Sequence, residues 1–230
     1  MKVYFYKYQG TGNDFIMIDN RDHTFPKNNV KLIHKLCDRR FGIGADGLIL
    51  LESSEKQDFT MVYFNADGNE GSMCGNGGRR ILSFAYDMGI KRDDYQFVAV
   101  DGVHEGRILQ KKGTEKIIEL KMNDVSNIKV QKSFIEMNTG SPHYIKFDDD
   151  IHALDVLKLG RRIRNSKKYV EEGINVNFVQ ANHQELFVRT YERGVENETQ
   201  ACGTGVTAAS IAASIRQNLK YKSFQIKTLG

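Results

Sequence analysis

Short apolar runs bounded by Gly, Asn and Asp recur along this chain, and stretches of helical spacing interrupt them in only four places. The runs at residues 2–8, 15–19, 48–51, 59–64, 96–100, 106–110 and 116–122 predict strands, as do those at 134–137, 144–147, 175–179 and 185–190. Gly10, Thr11, Gly12 and Asn13 read as the turn between the first two. A helix is predicted over residues 28–39, where Val30, Ile33 and Cys37 share one face. After Cys74, the residues Ile81, Leu82, Phe84, Ala85 and Met88 mark a second helix, which Gly89 closes. A third runs over about residues 151–164. The fourth follows Cys202 and carries Val206, Ala208, Ala209, Ile211, Ala212, Ala213 and Ile215. It is small and apolar on nearly all sides, which predicts an enclosed helix. Strands and helices do not alternate one for one, which argues against a doubly wound parallel sheet.

One stretch is written twice, at residues 65–79 and 191–205. Each copy leaves an apolar strand, crosses a polar loop, enters Cys-Gly-x-Gly and continues into a helix. Cys74 and Cys202 stand 128 positions apart, and the same offset pairs Gly75 with Gly203, Gly77 with Gly205, and Gly12-Asn13 with Gly140-Ser141. The pattern predicts duplicated halves, 1–124 and 125–230, with the crossing at residues 123–127. The fold class expected is α+β: two pseudo-symmetric domains, each a curved, mainly antiparallel sheet or barrel wrapped around a central helix.

With 230 residues, 40% of them hydrophobic, the chain has enough apolar material for one large or two small cores. Its 33 basic and 29 acidic residues are evenly spread, so the net charge of +4 does not point to nucleic acid. No apolar run approaches the ~18 residues of a membrane span, and residues 1–5 read as a strand rather than a targeting segment. Three cysteines, an odd number, predict free thiols in a reducing cytoplasm. Cys37, on a buried helix face, reads as core packing. The glycine-punctuated loop at 42–47 has no Lys-Ser/Thr ending and is not a P-loop. Metal-ligand spacing is missing, with no Cys-x-x-Cys and no close Cys–His pair. No motif for a pyridoxal phosphate Schiff base is present. His23, His34, His104, His152 and His183 read as surface or packing residues, whereas His143 follows Gly140-Ser141-Pro142 in the second copy of the early turn.

A helix start carries free N–H groups and roughly half a positive charge, which favours thiolate at neutral pH. The glycines after each cysteine let a ligand approach those N–H groups. Two such sites facing each other would hold one carboxylate, with a sulfur on each side of its α-carbon. Inverting that carbon needs a base on one face and an acid on the other. It also needs positioned donors for the charge that develops on the carboxylate. One Cys-Gly-x-Gly alone reads as a packed turn; two in duplicated context read as a pair of acid/base thiols. A Cys–His nucleophile would use one cysteine and leave the duplication unexplained.

Seven motifs, in order, closely resemble those of the diaminopimelate epimerase family: Gly10-Thr11-Gly12-Asn13-Asp14-Phe15; Phe41-Gly42-Ile43-Gly44-Ala45-Asp46-Gly47; Phe64-Asn65-Ala66-Asp67-Gly68 with Met73-Cys74-Gly75-Asn76-Gly77; Gly140-Ser141-Pro142-His143; Asn175-Val176; Tyr191-Glu192-Arg193-Gly194; and Ala201-Cys202-Gly203-Thr204-Gly205. The resemblance implies cofactor-independent interconversion of LL- and meso-diaminopimelate for lysine and peptidoglycan synthesis, with Cys74 and Cys202 as the thiol/thiolate pair. Backbone N–H groups at Gly75-Asn76 and Gly203-Thr204 would hold the reacting carboxylate. Asn13, Asn65, Ser141, Asn175, Glu192 and Arg193 match substrate-binding positions, and His143 and Glu192 match residues beside the thiols. The implied partner is a small molecule, diaminopimelate, and a homodimer is one assembly compatible with the reading.

Three departures stand out. Ser141 replaces a frequent Asn, which implies a shorter or water-mediated contact. Gly47 replaces a Gln or other side chain. The sequence stops at Leu229-Gly230, where the family usually continues through a further strand or two. Two alternatives share the same residues: a racemase of another amino acid, such as histidine, and a non-catalytic amino-acid-binding protein. Asn65, Asn175 and Arg193 together favour diaminopimelate over the first. Retention of both cysteines and both glycine loops argues against the second.

Overall fold

A computed structural model describes residues 2–71 and 73–230. Met1 of the predicted first strand and Ser72 of the repeated stretch lie outside the described residues. The chain divides into two units between Met122 and Asn123, two residues ahead of the boundary read from the sequence.

In the first unit, β1 (Tyr6–Gly10) and β2 (Asn13–Asp19) form a hairpin. Its two linking residues, Thr11 and Gly12, have φ of 55° and 78°, the left-handed pair that matches strand twist in a two-residue turn. β1 begins at Tyr6 rather than residue 2. Its partner's far end is drawn into a turn by the Asp19 carboxylate, which accepts from the Arg21 backbone and guanidinium. Next come α1 (Val30–Cys37), β3 (Gly47–Glu52), β4 (Phe59–Asn65), α2 (Gly75–Asp87), β5 (Asp94–Ala99), β6 (Gly102–Lys112) and β7 (Glu115–Leu120). α1 is shorter than expected at both ends. The Asn29 side chain caps it by accepting from the Leu32 N–H, and Asp38 turns extended.

The seven strands lie in chain order in one sheet. Four pairings are antiparallel; β2–β3 and β4–β5 are parallel, and a helix makes each of those crossovers. β3 is buried on both faces. Leu48 and Leu50 pack with Ile33 and Cys37 of α1, while Ile49 and Leu51 pack with Ile81, Leu82 and Phe84 of α2. Because α2 touches both β1 and β7, the two edges of the sheet, the sheet must curl around it.

The second unit repeats this plan. It runs β8 (Lys129–Val130), β9 (Ile135–Asn138), β10 (Pro142–Phe147), α3 (Val156–Arg164), β11 (Asn175–Asn182), β12 (Glu185–Glu192), β13 (Asn197–Thr199), α4 (Gly203–Arg216) and β14 (Gln225–Lys227). Antiparallel β9–β10 and β11–β12 and parallel β10–β11 and β12–β14 reproduce the order of β1 to β5, with helices at the same crossovers. The offset of 128 holds in register: Phe15 pairs with Gly47, and His143 pairs with Asn175. α3 starts five residues later than the sequence pattern suggests, because the Asp155 carboxylate caps the Lys158 N–H. α4 buries Ala208, Ala209, Ala212 and Ala213 against Ile145, Val179, Leu186 and Val188, and only Arg216 is exposed along it. Among the described residues, no helix is long and apolar enough to cross a membrane.

Candidate active site

Each unit ends a strand–loop passage with a cysteine at a helix N-cap. Cys74 (φ −110°, ψ 116°) precedes α2, and Cys202 (φ −118°, ψ 112°) precedes α4. The matching extended backbones leave the next N–H groups of each helix pointing outward at its first turn. The Cys74 sulfur accepts from the Gly77 N–H at 3.4 Å. The second glycine of each motif is a packing requirement. A Cβ on Gly77 would stand 3.1 Å from Ile49 and Met61, and one on Gly205 would stand 2.4 Å from the Asn177 Oδ1.

In the first unit, Gly75 and Asn76 are buried and Cys74 is half-buried. Asn76 donates its amide to Asn13 Oδ1 at 3.1 Å, and Asn13 donates to Asp46 Oδ2 at 2.8 Å. Arg39 clamps Asp46 and Asp14 from outside. Asn76 in turn accepts from the Arg79 guanidinium. Burial pushes the Arg79 pKa below its ordinary value, opposed by the favourable charge interaction with Cys74. Sequence reasoning passed over Arg79; its signal was an arginine five residues past the cysteine with no acid beside it. Asn65 sits exposed at the end of β4, close to Gly71. Gly47 is closed off rather than merely vacant: a Cβ there would meet the Tyr63 ring and the Phe64 carbonyl at 2.6 Å.

In the second unit, Ser141, His143, Asn175, Cys202 and Thr204 are buried together. Asn175 donates to Ser141 Oγ at 2.9 Å and accepts from the Arg193 N–H at 2.9 Å. Ser141 thus orients Asn175 through one lone pair and keeps its own proton to donate. Arg193 extends its guanidinium to the Glu172 carbonyl at 2.8 Å. Glu192, at the end of β12, accepts from Thr199 at 3.0 Å. His143 Nε2 lies 2.9 Å from Thr204 Oγ1, which lies 3.4 Å from the Cys202 sulfur. Complete burial, with Arg193 nearby, pushes the His143 pKa down to about 3, so its imidazole is neutral at physiological pH.

The family model described as diaminopimelate epimerase matches residues 5–127 and 135–230. A diaminopimelate epimerase of Flavobacterium psychrophilum is 52% identical over 90% of this chain and 80% of its own length. One from a Hydrogenobaculum species is 41% identical over 90% and 81%. The chain belongs to the diaminopimelate epimerase family.

The likeness extends to solved structures outside close sequence range. A Bacillus anthracis phenazine biosynthesis protein of the PhzF family superposes with a TM-score of 0.68 at 14% identity, over 98% of this chain and 84% of that one. That match shows the shared two-domain α+β fold with its curled sheets. The segments matched by the diaminopimelate epimerase model contain every site residue named above. Among the described residues, no group of three or more His, Cys, Asp or Glu side chains is placed to hold a metal ion.

The third thiol lies in an apolar cluster, whereas the two at the helix starts have polar neighbours, the Gly77 N–H for Cys74 and the Thr204 hydroxyl for Cys202. Cys37 is 3% exposed in the core of the first unit, and burial raises its pKa to about 11. Its reactive thiolate is therefore scarce at neutral pH. Brief treatment of the folded protein with a small neutral alkylating agent should label Cys74 and Cys202 and spare Cys37. Peptide mapping checks this; early modification of Cys37 would contradict it.

Proposed function

We propose that this chain is an isomerase that converts LL-diaminopimelate to meso-diaminopimelate without a cofactor, using Cys74 and Cys202 as the two acid/base groups. The observation that carries the reading is the N-cap cysteine present once in each duplicated unit, within a chain of the diaminopimelate epimerase family. One thiolate removes the α-proton: the C–H bond breaks, and its electron pair moves onto the carboxylate. The other thiol delivers its proton to the opposite face of the same carbon. One proton is taken and one is given, with no net redox change, and the two sulfurs exchange roles when the reaction runs backwards.

The intermediate is costly because an α-proton beside a carboxylate is a very weak acid. The N–H groups at Gly75-Asn76 and Gly203-Thr204 would meet the charge that accumulates on the carboxylate, and helix starts supply such donors already oriented. Asn13, Asn65, Asn175 and Arg193 suit the distal carboxylate, and Glu192 suits an ammonium group. This chemistry serves lysine and peptidoglycan synthesis, and free thiols of this kind persist in the reducing cytoplasm.

Incubation with LL-diaminopimelate in deuterated water tests the reading. Formation of the meso isomer with deuterium at the inverted carbon is the expected result. No incorporation would refute it, and faster turnover of another amino acid, such as histidine, would make the chain a racemase of different substrate choice.

A further inference from the structure

The two units diverge at the positions that pack under their cysteines. In the first, the strand residues facing α2 include Phe15 on β2 and Ile49 on β3, both 0% exposed and part of an apolar core. At the positions 128 residues on stand His143 on β10 and Asn177 on β11, also 0% exposed. Opposite Ile49 on β4 is Tyr63, and opposite Asn177 on β12 is the buried Thr190. Burying such groups is costly unless each is hydrogen-bonded, and here each one is.

The bonds fix a direction. Asn177 Nδ2 lies 3.2 Å from the backbone carbonyl of Tyr144, which can only accept, so that end of the amide is the donor. Its other end accepts from Thr190 Oγ1 at 3.0 Å. The same Nδ2 lies 3.0 Å from His143 Nδ1. That ring nitrogen must therefore accept, and the single proton of the neutral imidazole belongs on Nε2. Nε2–H then donates to Thr204 Oγ1 at 2.9 Å. The Thr204 hydroxyl, with one of its two lone pairs taken, keeps its own proton to offer a Cys202 thiolate at 3.4 Å. The Thr204 backbone is held as well, its carbonyl accepting from Thr139 Oγ1 at 2.8 Å.

We propose that Asn177, held by Thr190, is a positioning residue that sets the tautomer of His143 and so aims the Thr204 hydroxyl proton at Cys202. The inference rests on the reading of Cys202 as an acid/base thiol and deepens it. No proton moves along the chain at rest: it is a set of hydrogen bonds that stabilises sulfur as an acceptor, the state a base needs. Burial, and after it the charge of Arg193, disfavours the imidazolium and keeps the ring to a single proton. Gly205 belongs to the same device, because any side chain there would displace the Asn177 amide.

Imidazole nitrogen NMR on histidine-labelled protein reads the tautomer directly, with His143 assigned by the signal lost in His143→Gln. The expected signature is the Nε2–H tautomer at neutral pH, and Asn177→Asp, which offers an acceptor to Nδ1, should place a proton on Nδ1. Finding Nδ1–H or imidazolium in the parent protein, or no change in Asn177→Asp, overturns the inference. Alkylation of Cys202 against pH, followed by peptide mapping, reads the far end of the chain. Thr204→Val should move its midpoint upward by about 1 pH unit while Cys74 stays put, and Thr204→Ser should restore it. An unmoved midpoint in Thr204→Val also overturns it. Neither measurement uses turnover, so failure of the hydrogen-bond chain and failure of the epimerase reading are separately visible.

Discussion

Alanine at either Cys74 or Cys202 will abolish inversion of diaminopimelate while leaving the protein folded. A positioned acid or base contributes typically 10²–10⁴-fold, and here removal of one thiol leaves one face of the α-carbon with no group to take or give a proton. The fold should survive because Cys→Ala removes only one sulfur atom from each site. Cys74 holds one N–H of α2 through sulfur, a cap worth about 1 kcal/mol, and Cys202 makes no side-chain cap bond to the helix N–H groups. Rates of interconversion for both single variants, with urea midpoints as a control, are the measurement. If either variant inverts substrate at close to the parent rate, the two-base mechanism is wrong.

The placement of both cysteines at helix starts was legible in the sequence because duplication amplifies a weak pattern: a motif that is uninformative once becomes specific at a fixed offset. The same offset carries the fold, since the helices at both crossovers and the Phe15–Gly47 and His143–Asn175 pairings repeat at it. Element ends were less legible, being set by single side chains. Asn29 and Asp155 cap their helices one and four residues inside the predicted starts. β8, β13 and β14 span only two or three residues, too few for any periodicity. Asn177 and Thr190 were illegible for a different reason. Along a strand each reads as an ordinary polar residue, and only pairing across β11 and β12 reveals that both are buried and joined. At Gly47 only the structure shows that the space a side chain would take is filled by the Tyr63 ring.

Substrate choice should turn on Arg193. Its backbone N–H is fixed to Asn175, and its guanidinium donates to the Glu172 carbonyl. Among the described residues, no carboxylate forms a salt bridge with it. Burial, followed by the like charge of Arg164, holds its pKa below the usual arginine value. A half-buried cation without an acid partner is suited to a ligand carboxylate, and the planar fork can grip one with two bonds. Diaminopimelate has a distal carboxylate there; lysine has the same distal ammonium without it. Arg193→Ala should therefore lower kcat/KM for diaminopimelate by about 2–5 kcal/mol of transition-state stabilisation, the scale for truncating one partner of a buried charge pair. Any trace activity on lysine should scarcely change, because the contact removed was never made with it. Arg193→Lys should fall between the two proteins, keeping the charge and losing the fork. An equal fractional loss on both substrates in Arg193→Ala would make Arg193 a structural residue, tied to Asn175 and Glu172, and would leave the distal carboxylate to Asn13, Asn65 and Asn175.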